Sequence, residues 1–160
     1  MSDSSSASKD GPFEEQRRIF DLLSQETRHL IVQYVLGHPK HLASLDELNY
    51  VIPKSKAAIS DQLDNLVEAG ILDLYRYEPS EDKRDLPSKF YGFTERGVEV
   101  LYEYNYLRGV PVARALYKNT RKSEKIERHE DAPRPELPDE VREGLSNGTS
   151  DEDAGSTTET

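Results

Sequence analysis

The sequence predicts a mainly α-helical domain with one small β element, an α+β fold. Three observations carry that prediction. Two short amphipathic helices between Ser44 and Gly70 are joined by only a few residues. Directly after them come two aromatic-rich runs separated by a charged loop, from Ile71 to Phe93. On both sides of this block, apolar residues recur with helical rather than strand period.

Residues 1–12 are rich in serine, aspartate, lysine and glycine and are expected to be disordered. Pro12 and Phe13 lead into a first helix, to about Leu23, with Ile19, Phe20, Leu22 and Leu23 as its core residues. Ser24 breaks the run and is placed to cap the next helix, in which Leu30, Ile31, Tyr34 and Val35 make a buried face. Gly37-His38-Pro39 ends that helix in the usual order. His41 to Ala43 is a candidate short strand beside the later hairpin.

Ser44 and Glu47 have the spacing of a capping box, each able to satisfy the other's backbone N–H. Leu45, Leu48 and Ile52 then fall at i, i+3 and i+7 on one stripe. Pro53 stops the helix, because the residue before a proline is pushed out of the α region. Ser55 caps a second helix whose inner face is Ile59, Leu63 and Leu66, with Val67 at the margin. Gly70 suits the left-handed position after it, where Ile71 can touch Leu66 across a Schellman turn. Two helices this close make a helix-turn-helix. Strand, loop and strand follow directly, with the charged loop at 79–87, and that is the wing of a winged helix.

The segment SKAAISDQLDNLVEAGIL is similar to the recognition-helix segment of ArsR- and MarR-type winged-helix transcription regulators. DLLSQETRHLIVQYVL resembles the start of ArsR-type domains, where an LxxxxR stretch packs under the helix-turn-helix. FYGFTERGVEVL looks like the second wing strand of that superfamily, with Thr94 and Gly97 opening the next helix. The resemblance covers roughly residues 13–107. It implies a DNA-binding regulator with helix 55–69 in the major groove, a wing touching DNA backbone or minor groove, and a homodimer formed through terminal helices. The chain departs from the pattern at Asp61, Gln62 and Asp64, where many relatives carry Arg, His or Lys.

Thr94 caps a helix to about Leu107, with Val98, Leu101 and Tyr102 inward. A last helix is expected from Pro111 to about Arg128. One side of it holds Val112, Ala113, Leu116 and Tyr117; the other holds Arg114, Lys118, Arg121, Lys125 and Arg128 within about 80° of arc. From Asp131 onward the chain is rich in Pro, Glu, Ser, Gly and Thr, without periodicity, and reads as disordered. The expected organisation is therefore a disordered 1–12, a winged helix-turn-helix at 13–93, C-terminal helices at 94–129 and an acidic disordered tail at 130–160.

The 160 residues suffice for one domain with tails, and 34% apolar content implies a small core. Absent cysteine removes disulfides, thiolate metal sites and cysteine nucleophiles. With no signal peptide and no long apolar run, a cytoplasmic protein without membrane contact is expected. The net charge of −10 is unevenly spread: residues 129–160 hold ten acids against two bases, and residues 94–128 five acids against eight bases. An acid excess, more arginine than lysine and a lean core resemble proteins of halophiles that keep molar salt in the cell. There the Debye length is ~3 Å and surface carboxylates repel weakly.

For DNA reading, the candidate residues are Lys54, Ser55, Lys56, Ala57, Ser60, Asp61, Gln62 and Asn65 on the second helix, with Lys83 and Arg84 on the wing. Ser60, Gln62 and Asn65 supply donors and acceptors, and Gln and Asn suit adenine. Asp61, Asp64 and Glu68 repel phosphates and favour the alternative, a winged-helix protein-interaction module that does not read DNA. Leu101, Tyr104, Leu116 and Tyr117 are the candidate dimer interface. His38 and His41 sit three apart around Pro39 with no third ligand in reach, so they read as a loop pair, with no metal or cofactor expected. No nucleophile–base pairing, phosphate loop or paired carboxylates point to an enzyme.

Overall fold

The computed structural model describes residues 11–78, 86–106, 114, 117, 118 and 123–146. Helix α1 (Pro12–Ser24) is followed by α2 (Glu26–Gly37), the two-residue strand β1 (Leu42–Ala43), α3 (Leu45–Val51) and α4 (Lys56–Glu68). Strands β2 (Leu72–Arg76) and β3 (Lys89–Phe93) come next, then α5 (Glu95–Glu103) and α6 (Glu124–Glu130). A further helical stretch, α7, covers 139–146. The sheet is antiparallel in the order β1-β3-β2, with Leu42 opposite Gly92 and Tyr75 opposite Phe90. Helix pair, three-stranded sheet and flanking helices make this a winged helix-turn-helix.

The local chemistry of α3 and α4 follows the sequence. The Ser44 hydroxyl accepts from the Glu47 N–H at 3.3 Å, and the Glu47 carboxylate accepts from the Ser44 N–H at 3.5 Å. Ile52 is extended before Pro53, and the Ser55 hydroxyl caps α4 by accepting from Ala58 at 3.1 Å. At the far end Gly70 has φ +80°, the Ile71 N–H donates to Leu66 and the Gly70 N–H donates to Val67, both at 3.0 Å. That pair of bonds is a Schellman turn. It delivers the chain into β2 and so sets the angle between α4 and the wing.

Two caps differ from expectation. Gln25, not Ser24, caps α2: its side-chain oxygen accepts from the Arg28 N–H at 2.8 Å. The helix expected over 111–128 is interrupted, since Ser123 is extended and its hydroxyl caps α6. A serine hydroxyl competing for backbone groups starts a new helix here. The basic residues 114–128 therefore do not form one helical stripe, and Arg121 lies outside the described residues.

The larger correction concerns the tail. Residues 131–146 were expected to be disordered; instead they cover the second face of the sheet and reach α5. Strand side chains alternate between faces, so Phe90 and Phe93 point to opposite sides, yet both are fully buried. Cover on the Phe90 face comes from the tail: the Arg134 guanidinium stacks 4.8 Å from the Phe90 ring centroid. A Cβ at Gly92 would lie 3.1 Å from Leu137. Leu137, Val141 and Leu145 join the same core as Leu48, Ile59 and Leu101, and a Cβ at Gly144 would lie 2.6 Å from Val98 of α5. Composition misled here because a few apolar residues suffice when the surface they meet is already formed.

What pins the tail is a buried ion pair. The Arg134 guanidinium donates to Glu47 at 2.9 and 3.1 Å, and also to the carbonyls of Leu42, His129, Glu130 and Ala132. Both side chains are nearly sealed from solvent, at 2% and 0% exposure. His38 completes the knot: its Nδ1 accepts from the Lys40 N–H at 3.0 Å, so Nε2 carries the proton and faces Glu47 at 3.5 Å. Burial would raise the Glu47 carboxyl, but hydrogen bonds from His38 and Arg134 hold it below the ordinary range. His38 is lowered, chiefly by burial. Tyr34 and Tyr117 stack around His38, with ring centroids 5.8 and 5.0 Å from it.

Candidate nucleic-acid interface

The inner face of α4 is committed to the core through Ile59, Leu63 and Leu66. Its outer face holds Ala57, Asp61, Asp64, Asn65 and Glu68, all exposed, with Ser60 half-buried at the edge. The N-terminal lysines are engaged at their tips: Lys54 meets Glu26 at 3.4 Å and Lys56 meets Asp46 at 2.8 Å. The Lys56 hydrogen bond holds the Asp46 carboxyl below the ordinary range. Exposed pairs of this kind are worth under about 1 kcal/mol and open readily for a better partner.

Gln62 is not a free reader. Its side-chain oxygen accepts from Arg28 at 2.7 Å and from the Asn65 amide at 3.0 Å. Arg28 also donates to the carbonyls of Leu22 and Asp21. One arginine thus ties the end of α1 to the middle of α4. Sequence reasoning missed the consequence for Gln62, since nothing in its spacing shows a partner thirty-four residues away.

The wing strands are in place, with the Tyr77 N–H still donating to Ser88 at 2.8 Å beyond the strand ends. Lys83 and Arg84 lie outside the described residues.

The expected dimer residues fare differently from one another. Leu101 is fully buried within the monomer, which removes it from any interface. Tyr104 packs edge-on against Phe20 at 5.2 Å, Tyr117 sits against Tyr34 and His38, and Leu116 lies outside the described residues. The Thr94 cap sets helix α5 against the residues that lead into β2. The Thr94 N–H donates to Ile71 at 3.0 Å, and a Cβ at Gly97 would meet that same carbonyl at 2.2 Å.

Among the described residues no cluster of three His, Asp or Glu is arranged to hold a metal ion, and no helix is long and apolar enough to cross a membrane. His38 faces Glu47 and His41 faces the Val35 carbonyl at 3.3 Å, so the two do not converge.

No family model and no curated protein matches the chain. Among solved structures it is similar to a protein with a GntR superfamily winged-helix-turn-helix domain from Halomicrobium mukohataei. That match has a TM-score of 0.72 and 26% identity over 81% of this chain and 92% of the other. The shared architecture is the winged helix-turn-helix; the likeness to ArsR- and MarR-type domains rests on the sequence segments alone.

Proposed function

We propose that this chain is a DNA-binding transcription regulator that inserts α4 into the major groove and lays the 79–87 wing along the adjacent backbone. The observation that carries the reading is the outer face of α4. It is polar, exposed and held at a defined angle by the Ser55 cap and the Schellman turn at Gly70. Ala57, Ser60, Asp61 and Asn65 contact base edges, Ser55, Lys54 and Lys56 the flanking phosphates, and Lys83 and Arg84 the wing's backbone contacts. Gln62 contributes mainly through Arg28, by fixing Asn65. Few cations on the reading helix suit a cytoplasm of high salt, where phosphate contacts lose about 0.9 log units of affinity each per decade of salt.

The test is selection of an operator from random DNA, followed by titration at several potassium chloride concentrations. Asn65→Ala is expected to weaken binding and relax sequence preference at every salt. Lys83→Ala/Arg84→Ala is expected to weaken all sequences alike and flatten the salt slope. If no sequence is enriched at any salt and a partner protein is recovered instead, the second reading holds. In that reading Asp61, Asp64 and Glu68 form an acidic docking face for a protein, and their exposure favours it.

Homodimerisation belongs to the same proposal, relocated to α1. Phe13 and Phe20 are 82% and 51% exposed on one side of that helix. An antiparallel two-fold centred between Gln16 and Arg17 sets Phe13 against Phe20, which lie seven residues apart on one helix face. Light scattering of Phe13→Asp/Phe20→Asp checks it: the wild type is expected as a dimer and the variant as a monomer.

A further inference from the structure

A cleft of about 600 Å3 lies between the loop before β1, the base of the wing and the tail segment 133–146. Its walls include Pro39, Pro133, Pro135 and Leu137, which give it an apolar side. Its polar groups are mostly cationic. Lys40, Arg114, Arg134 and Arg142 line it against a single carboxylate among the described lining residues, Glu136. Two of these cations are already used: Arg134 is bound to Glu47, and Arg142 pairs with Glu136 at 3.3 Å and Asp139 at 2.5 Å. That leaves Lys40 and Arg114 as the surplus, in a chain whose net charge is −10.

Two independent features mark the place. The Arg114 Nε is buried without a hydrogen-bond partner, a cost that native structures rarely carry without a reason. His41, also in the wall, holds a left-handed backbone at φ 55°. A non-glycine residue there is strained, and such strain gathers at ligand sites. The His41 ring is neutral over a wide range, pushed down to about 4 chiefly by burial, so it adds no charge to the cleft.

We propose that this cleft binds a small organic carboxylate, its ring or aliphatic body against the prolines and Leu137 and its carboxylate on Arg114 and Lys40. A planar guanidinium matches a carboxylate in a two-point fork, and the apolar wall gives no hydrogen bonds to a ligand body. The site is independent of what α4 binds, since it lies on the opposite face of the sheet and its readout is the ligand itself.

The experiment is an amide-resolved NMR titration of the full chain with benzoate, its neutral isostere benzamide, and inorganic phosphate. Saturable shifts are expected with benzoate at His41, Tyr77 and Leu137, with benzamide and phosphate at least about tenfold weaker. Arg114→Gln is expected to weaken benzoate by about tenfold while leaving the remaining spectrum in place. Should that variant fail to fold, Lys40→Gln, at an exposed position, is expected to weaken it several-fold. The proposal is overturned by no saturable shift with benzoate, by equal binding of benzamide, or by equal binding of phosphate. The last would mark an unselective anion patch, such as one that meets DNA backbone. Undiminished benzoate binding in the folded variants would overturn it as well.

Discussion

The carboxylates of α3 and α4 lie at two ends of one motif and do opposite things. On α4, Asp61, Asp64 and Glu68 stand in solvent on the face turned away from the core. On α3, Glu47 is sealed between Arg134, His38 and the Ser44 N–H. A buried ion is tolerated only when its partners are in place, and losing one of them costs several kcal/mol. An exposed ion costs almost nothing to change. Charge density along the chain therefore says little about role. Which acids act on a partner and which hold the fold together depends on what covers them.

The strongest way to break this contrast is to delete the tail. Truncation after Glu130 removes Arg134 and the buried Leu137, Val141 and Leu145, and uncovers Phe90. Burial of each aliphatic side chain is worth about 1.5–3 kcal/mol, so the loss approaches the whole stability of a domain this size. The truncated chain is expected to show no cooperative melt by circular dichroism. An unchanged melting temperature would mean that the tail is an ornament.

Arg134→Ala isolates the ion pair from the apolar cover. It leaves Glu47 buried without its main partner and is expected to cost about 3–5 kcal/mol in urea unfolding. Arg134→Met should recover part of this, since an apolar replacement restores packing over Phe90 although it does not satisfy Glu47.

A smaller effect concerns pH. His41 is lowered from 6.5 to about 4, first by burial, so the unfolded chain binds its proton more readily than the folded one. Stability then rises with pH across that window and is lost as pH falls from 6.5 towards 4, by up to about 3 kcal/mol. Lowered Glu47 acts in the same direction at lower pH: its contribution is present above the ordinary carboxylate range and is lost as pH falls through its folded value. His41→Asn, which tolerates the left-handed backbone, should reduce but not abolish the slope of the upper part of the stability–pH curve, since burial lowers His38 as well, and should leave the lower part. An unchanged curve would show that His41 is not what titrates.

The smallest stability effect is expected on α4, and it sharpens the comparison. Asp61→Asn and Asp64→Asn should move the melting midpoint by no more than about 0.5 kcal/mol equivalent. Asp64→Asn should nonetheless raise DNA affinity by removing repulsion from phosphates, whereas Asp61→Asn should alter sequence preference. Higher affinity with unchanged stability separates an open functional face from a structural one; a large stability loss would show that the α4 acids are also structural.

Much of the helix-turn-helix was legible because its signals are local. A capping serine, a proline stop, a left-handed glycine and an i, i+3, i+4 stripe each act within a few residues, where backbone sterics and hydrogen bonds dominate. Glu47 shows the limit of this. Its place in the capping box was readable from Ser44 three residues away, whereas its second role, holding Arg134, spans eighty-seven residues. The tail had no periodicity to read, because a segment that crosses a sheet and inserts single side chains needs none. One hint was present in KFYGF, whose two phenylalanines fall on opposite strand faces and so require cover on both.

The sequence by itself determined the order of elements, the caps, the inner face of α4 and the wing strands, since these follow from interactions between near neighbours. Tertiary structure alone decided that Gln62 is held by Arg28 and that residues 131–146 belong to the domain. Each of those depends on surfaces far apart in the chain meeting at hydrogen-bond or van der Waals distance. Such meetings depend on shape complementarity, which no local pattern of residue types encodes.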